Sequence, residues 1–238
     1  MKIYIDAGHG GTDAGAVSNG VKESAINVAV SNYLAKEFEQ QGITFKCCRT
    51  NDTTTKTLAV RVNEANTFGA DIYISLHSNW SESAKPNGTV TFIYKFGGEA
   101  EKIAKKIQAR LQPANGVSIW ERVDDENFYV LRKTTMPAVL IELGFLTNAT
   151  DREYLTNANN QKNIAKEICK AVCEYYNISY KGGKEVAKDN TPDAYAKEAV
   201  EWAVKEGILK GNENGDYMLH SNVTRQDMLV FLHRALKK

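Results

Sequence analysis

Hydrophobic positions along the first three quarters of the chain switch repeatedly between two periods. Lys2–Asp6 is a short apolar run, and Gly8-His9-Gly10-Gly11 ends it, which predicts a buried strand and a loop. From Ser24 to Gln41, Ile26, Ala29, Val30, Tyr33, Leu34 and Phe38 recur at helical spacing, with Ser24 as the expected cap and Gly42 as the stop. Ile43–Cys48 predicts a second strand, Leu58–Phe68 a helix ending at Gly69, and Asp71–Leu76 a third strand. Thr89–Tyr94 predicts a fourth strand and Gly98–Leu111 a helix. Pro137–Leu143 is an almost wholly apolar strand, and Asn159–Tyr176 a helix with Ile164, Ile168, Val172 and Tyr175 on one face. Strands alternating with helices predict an α/β fold, a mostly parallel sheet flanked by helices on both faces.

The pattern fails between Ser179 and Pro192, which is polar, glycine-bearing and aperiodic, as a linker is. Two further helices are expected over Asp193–Glu206 and Arg225–Leu236, with a loop from Gly207 to Thr224 between them. The expected division is a domain over 1–178, a linker over 179–192 and a small helical C-terminal module over 193–238. A module of that size has a thin core, so it is expected to pack on a neighbour or on another copy of itself.

Composition narrows the partners. The 238 residues are 42% hydrophobic and 25% charged, with a formal net charge of +1. That balance lacks the basic excess of a nucleic-acid binder. No apolar run approaches the roughly 18 residues of a membrane span. The N-terminus shows no signal-peptide pattern, so synthesis in the cytoplasm, or export by another route, is expected. The cysteines at 47, 48, 169 and 173 are too few and too clustered for a disulfide framework. They read as buried free thiols, with a two-cysteine metal half-site as the alternative.

Two of the four histidines, His9 and His77, follow predicted strand ends, and in a parallel sheet both fall on one rim. Glu23 opens the helix that leaves the first loop on that rim. Two imidazoles and a carboxylate can make a three-ligand zinc site with an open fourth position. Satisfied surface or core imidazoles fit the spacing as well. Glu142 interrupts an apolar strand, where an ionised carboxylate is disfavoured unless it is paired or raised in pKa. It is either a general base or a strand-end carboxylate reaching solvent. The glycine-rich turn lacks the G-K-[ST] of a phosphate loop, and Asp13 breaks a G-x-G-x-x-G frame, which argues against nucleotide binding.

Asp6-Ala-Gly-His-Gly-Gly-Thr-Asp-Ala-Gly-Ala16 with Asn19-Gly-Val-Lys-Glu23 resembles the opening of the zinc-dependent N-acetylmuramoyl-L-alanine amidases. Leu58-x-x-Arg61-x-x-x-Ala65-Asn66, then Ala70-Asp-Ile-Tyr-Ile-Ser-Leu-His-Ser-Asn79, follow in the family's order. So do Leu131-Arg132 and Pro137-Ala-Val-Leu-Ile-Glu-Leu-Gly-Phe-Leu-Thr-Asn148. The resemblance implies a peptidoglycan hydrolase that cuts the amide between the lactyl group of N-acetylmuramic acid and L-alanine. It implies one Zn2+ held by His9, Glu23 and His77, and Glu142 as the catalytic carboxylate. Asn79 and Arg132 lie near these groups in sequence and are weaker candidates for substrate contact. Trp80 and Trp120 are candidates for stacking on sugar or peptide.

The C-terminal module resembles one S-layer-homology repeat through Ala199-Val-Glu-Trp-Ala203, Glu206-Gly-Ile-Leu-Lys-Gly211, Asn214-Gly-Asp-Tyr217 and Val223-Thr-Arg-Gln-Asp-Met228. In that family such repeats hold proteins on secondary cell-wall polymers, commonly in threes. A single copy implies weak binding or self-association of several chains. His220 and His233 read as structural or surface residues. The whole fits an endolysin or autolysin. The competing readings are a non-catalytic wall-binding protein and a zinc peptidase cutting within the stem peptide.

Overall fold

The computed structural model describes residues 1–111, 122–181, 190–211, 217, 219–220 and 225–236. They form two units, Met1–Lys181 and Gly182–Lys238.

The first unit is built on strands β1 (Lys2–Ala7), β2 (Val17–Ser18), β3 (Val21–Lys22), β4 (Thr44–Cys47), β5 (Ile72–Asn79), β6 (Val90–Ile93), β7 (Arg122–Asp125) and β8 (Ala138–Phe145). Its helices are α1 (Glu23–Gln41), α2 (Leu58–Phe68), α3 (Glu99–Arg110), α4 (Tyr129–Lys133), α5 (Ala149–Thr156) and α6 (Ala158–Tyr175). One sheet runs in the order β4-β1-β5-β8-β6-β7. β4, β1, β5 and β8 are mutually parallel, whereas β6 runs antiparallel to β8 and carries β7 parallel to itself. The sheet is therefore mostly parallel, with a reversed pair at one edge. β2 and β3 form a separate two-stranded hairpin.

The strands show why the sequence folds this way. Side chains alternate between faces. Ile3, Ile5, Ile72, Ile74, Leu76, Val139, Ile141 and Leu143 join the core under α1, α3, α5 and α6. Tyr4, Tyr73, Ala138 and Leu140 face the other way, with Val62 and Ala65 of α2 and Val130 and Leu131 of α4. Helices thus cover both faces, which is why the central strands carry apolar side chains on both. All four cysteines are free thiols, with Cys47 half-buried and the others buried.

Three expectations change. α1 begins at Glu23 rather than Ser24, and its cap position, Lys22, makes no side-chain cap bond. The first N–H groups instead donate to backbone, Glu23 to the Ala16 carbonyl and Ser24 to that of Ala14. β5 continues through His77 to Asn79, so that histidine stands within the strand. The helix expected over 193–206 opens as a 3-10 turn, Ala194–Ala196, before α7 (Lys197–Lys205).

The second unit holds α7 and α8 (Arg225–Leu236). Much of the loop expected between them lies outside the described residues, as does Trp120. No helix among the described residues is long and apolar enough to cross a membrane.

Candidate metal centre

On the α2/α4 face of the sheet, strand register lines side chains into cross-strand rows. Tyr4, Tyr73 and Ala138 make one row, and Asp6, Ser75 and Leu140 the next. Beyond them His77 pairs with Glu142, and the Gly8 N–H donates to the Leu76 carbonyl. Strand alternation therefore delivers His77 and Glu142 side by side at the carboxyl ends of their strands. Gly8 leaves the space for them, since a Cβ there would stand 2.3 Å from His77 Cε1 and Nε2. Gly8→Ala is expected to displace that ring and weaken metal affinity roughly 10- to 100-fold, as losing an orienting contact does. Chelator competition measures it, and native affinity in the variant overturns the steric account.

His9 follows in the left-handed region, φ 60°. Two buried arginines hold the backbone on either side of it. Arg61 donates to the carbonyls of Ala7, His9 and Lys56, and Arg49 to those of Ala7, Gly8 and Ser24. Arg61 also pairs with buried Asp6, which accepts from Tyr73 and Ser75 hydroxyls as well. Gly15, at φ 64°, lets the chain turn back, and a Cβ there would meet Glu23 Oε2 at 2.5 Å and the His9 ring at 2.7 Å.

Among the described residues, His9, Glu23 and His77 form a cluster whose donor atoms all lie within 4.8 Å of one another. Glu23 Oε1 is 2.8 Å from His77 Nδ1, and Oε2 is 3.3 Å from His9 Nε2. The Glu23 carboxylate also accepts from the Ala16 and Ser78 N–H groups and from Asn27 Nδ2, one helical turn along α1. Asp13 Oδ2 lies 2.8 Å from His9 Nδ1, leaving Nε2 turned toward Glu23. A carboxylate behind an imidazole is the arrangement that orients metal-bound histidines. Two imidazoles and a carboxylate, closely spaced and backed by hydrogen bonds, fit a divalent ion such as zinc.

The electrostatics of the metal-free cluster point the same way. Burial opposes protonation of His9, but its hydrogen bond to Glu23 and the charges of Glu23 and Asp13 push it up to about 9. His77 is likewise raised: burial is outweighed by its hydrogen bond to Glu23 and by the charges of Glu142 and Glu23. Burial opposes ionisation of Glu23, yet hydrogen bonds with His77 and His9 hold it well below the usual carboxylate range.

Glu142 differs. Burial pushes its carboxyl up to about 7, partly offset by His77 and His9 and reinforced by Glu23. Its buried Oε2 accepts no hydrogen bond among the described residues. Glu142 lines a cleft of about 490 Å3 together with Gly8, His9, His77, Leu58, Phe128 and Tyr129. Asn79 and Arg132 are not among its lining residues. Asn79 accepts from the N–H of Trp80 through its side chain and from that of Leu146 through its carbonyl. Arg132 is exposed and donates to Asn127. Trp80 is exposed as well.

Residues 3–174 match the N-acetylmuramoyl-L-alanine amidase family, and residues 188–229 the S-layer homology domain. The chain belongs to the N-acetylmuramoyl-L-alanine amidase family. The catalytic domain of CwlV, an amidase from Bacillus (Paenibacillus) polymyxa var. colistinus, superposes with a TM-score of 0.69 at 32% identity, covering 75% of this chain and 99% of that one. N-acetylmuramoyl-L-alanine amidase LytC of Bacillus subtilis is 33% identical over 177 residues, 73% of this chain and 35% of LytC. Uncharacterized protein YqiI of the same organism is 37% identical over 177 residues, 73% of this chain and 84% of YqiI. In this amidase-family chain, Asp13 and Arg61 stand in the quoted motifs without an assigned role, and Asn27 and Arg49 were not singled out as supports of the site. The i,i+4 spacings of His9 with Asp13 and of Glu23 with Asn27 are local signals for two of them.

Proposed function

We propose that the chain is a zinc-dependent amidase that hydrolyses the bond between the lactyl group of N-acetylmuramic acid and L-alanine of the peptidoglycan stem. The observation that carries this reading is Glu142 beside His77 in register, with a buried oxygen that accepts no hydrogen bond among the described residues. His9, Glu23 and His77 would hold the ion. Zinc, when bound, polarises a carbonyl and lowers the pKa of water to about 7. Glu142 takes a proton from the attacking water as the new C–O bond forms at the lactyl carbonyl. It then delivers that proton to the alanine nitrogen as the C–N bond breaks, leaving a lactyl carboxylate and a free amine. A carboxyl near 7 can do both at neutral pH. Asn79 and Arg132 are proposed to meet substrate outside the cleft.

Residues 1–178 are proposed as the catalytic domain, 179–192 as the linker, and 193–238 as a module that holds the enzyme on a secondary cell-wall polymer. Digestion of purified walls by the zinc-loaded chain tests the reaction. Free N-terminal alanine is the expected product. New termini within the stem peptide, with no alanine amine, would make it a peptidase instead, and binding without any release would make it a wall-binding protein.

Metal uptake is expected to depend on pH. With His9 at about 9 in the metal-free chain, an ion entering at neutral pH must displace a proton. Apparent zinc affinity is expected to rise about tenfold per pH unit for each proton displaced between pH 6 and 9. The stability of the metal-free chain moves oppositely. The raised His9 contributes fully below its unfolded value of about 6.5, and that contribution is lost as pH rises through about 9. The lowered Glu23 contributes above its ordinary range and loses that contribution in acid. Chelator-competition titrations at pH 6 and pH 8 measure the affinities, and equal values rule this out.

A further inference from the structure

The basic side chains that line the cleft are not equivalent. Arg61 is 3% exposed and committed to Asp6 and to three backbone carbonyls. His9 and His77 face Glu23. Lys56 is the remaining one, and its side chain is 21% exposed.

Lys56 is held at both ends. The guanidinium of Arg61 that donates to the His9 carbonyl also donates to the Lys56 carbonyl, so a metal-ligand candidate and Lys56 share one anchor. The Thr55 hydroxyl ties the same loop to the Gly10 carbonyl at 3.2 Å. At its other end Lys56 Nζ donates to Glu64 Oε1 on α2 at 2.6 Å, and Glu64 Oε2 accepts from the Tyr4 hydroxyl at 2.6 Å. Tyr4 is buried and stacked on Tyr73, with ring centroids 5.5 Å apart. A partly exposed ion pair contributes little to stability, so holding a lysine this firmly has another use. An ammonium has three donors, and among the described residues only Glu64 accepts from this one. Two donors are left for a ligand, on a side chain ordered before the ligand arrives.

The ligand follows from the amidase reading, on which this inference rests. With the scissile amide at the metal cluster, the acyl side is an uncharged sugar and the amine side is peptide. The glutamate-type residue after L-alanine carries its α-carboxyl roughly 7 Å from the scissile nitrogen, two residues at about 3.5 Å each. That group is charged when free and neutral when amidated.

We propose that Lys56 is a specificity-determining residue whose ammonium binds the α-carboxylate of the stem residue following L-alanine. The enzyme then prefers stems in which this carboxylate is free over stems in which it is amidated.

Two soluble compounds differ only in that group, N-acetylmuramoyl-L-alanyl-D-glutamate and N-acetylmuramoyl-L-alanyl-D-isoglutamine. Calorimetric titration of each into the zinc-loaded Glu142→Gln chain measures binding apart from turnover. The carboxylate form is expected to bind about tenfold more tightly, the lower end for a hydrogen bond between charged groups because the pair is partly in solvent. Adding Lys56→Gln is expected to bring the ratio of affinities to one or below, since Glu64 then stands uncovered. Structural damage weakens both compounds alike and leaves the ratio where it was. A ratio near one with Lys56 in place overturns the proposal. So does a tenfold ratio that survives Lys56→Gln, and so does failure of both compounds to bind. A native chain that binds with the expected ratio yet hydrolyses neither compound keeps Lys56 as a carboxylate site and sinks the amidase reading instead.

Discussion

Glu142→Gln is expected to release alanine amine from purified walls about 10^2- to 10^4-fold more slowly than the native chain, with zinc content unchanged. The variant keeps the shape of the side chain and its place beside His77 in the β5–β8 register, and removes only the ability to take and return a proton. A second readout separates this role from a structural one. Burial raises the Glu142 carboxyl to about 7 in the metal-free chain, above its unfolded range. An acid whose folded pKa is raised binds its proton more tightly when folded, so stability falls as pH climbs from the unfolded value toward about 7. The Gln variant carries no such proton and escapes that fall. At pH 8 the metal-free variant is therefore expected to melt above the metal-free native chain. A slow variant that also melts lower would reassign Glu142 as a structural residue. A variant retaining a tenth or more of native activity would remove it from the chemistry.

Arg61→Ala is expected to destabilise the metal-free chain by about 3–5 kcal/mol, the magnitude for breaking a buried ion pair from one side. The guanidinium is 3% exposed, and its partners are the Asp6 carboxylate and the carbonyls of Ala7, His9 and Lys56. Without it, Asp6 loses its charged partner and keeps neutral ones such as the hydroxyls of Tyr73 and Ser75, and the carbonyls around His9 lose a donor. Stability and metal affinity are expected to fall together, because the same side chain serves both. Arg61→Lys restores the charge without the planar fork and is expected to recover only part of each. Urea unfolding monitored by fluorescence measures the effect, and a loss under about 1 kcal/mol would show that the pair is dispensable.

The parts of the site that follow strand alternation were legible in the sequence. An apolar run carrying one Glu at position 142, and a second ending at His77, already place two chemical groups on the rim of a parallel sheet. Glu23 was legible because it opens the helix that returns from the first loop. What orients these groups was not. Arg61 lies 55 positions from Asp6, and Arg49 reaches back across 42 to the Ala7 carbonyl. No local pattern announces a side chain that satisfies a distant backbone. The reversal of β6 and β7 was hidden for a related reason. Four-residue strands show too little alternation to reveal direction, which is decided by where the connection crosses. α4 is five residues long and carries no full period, yet its Val130 and Leu131 close the α2/α4 core. Asn79 and Arg132 show the limit of neighbourhood in sequence, since neither lines the cleft that their neighbours flank.

The two outermost strands of the sheet are short, four residues each against eight in β5 and β8. β4 exposes Lys46, and β7 carries Arg122, Asp124 and Asp125 with its first and last residues exposed. A free strand edge is a template on which another chain can extend the sheet, and charge on a short edge opposes that templating. The apolar centre of the sheet is thus guarded at both ends against growing into a fibre.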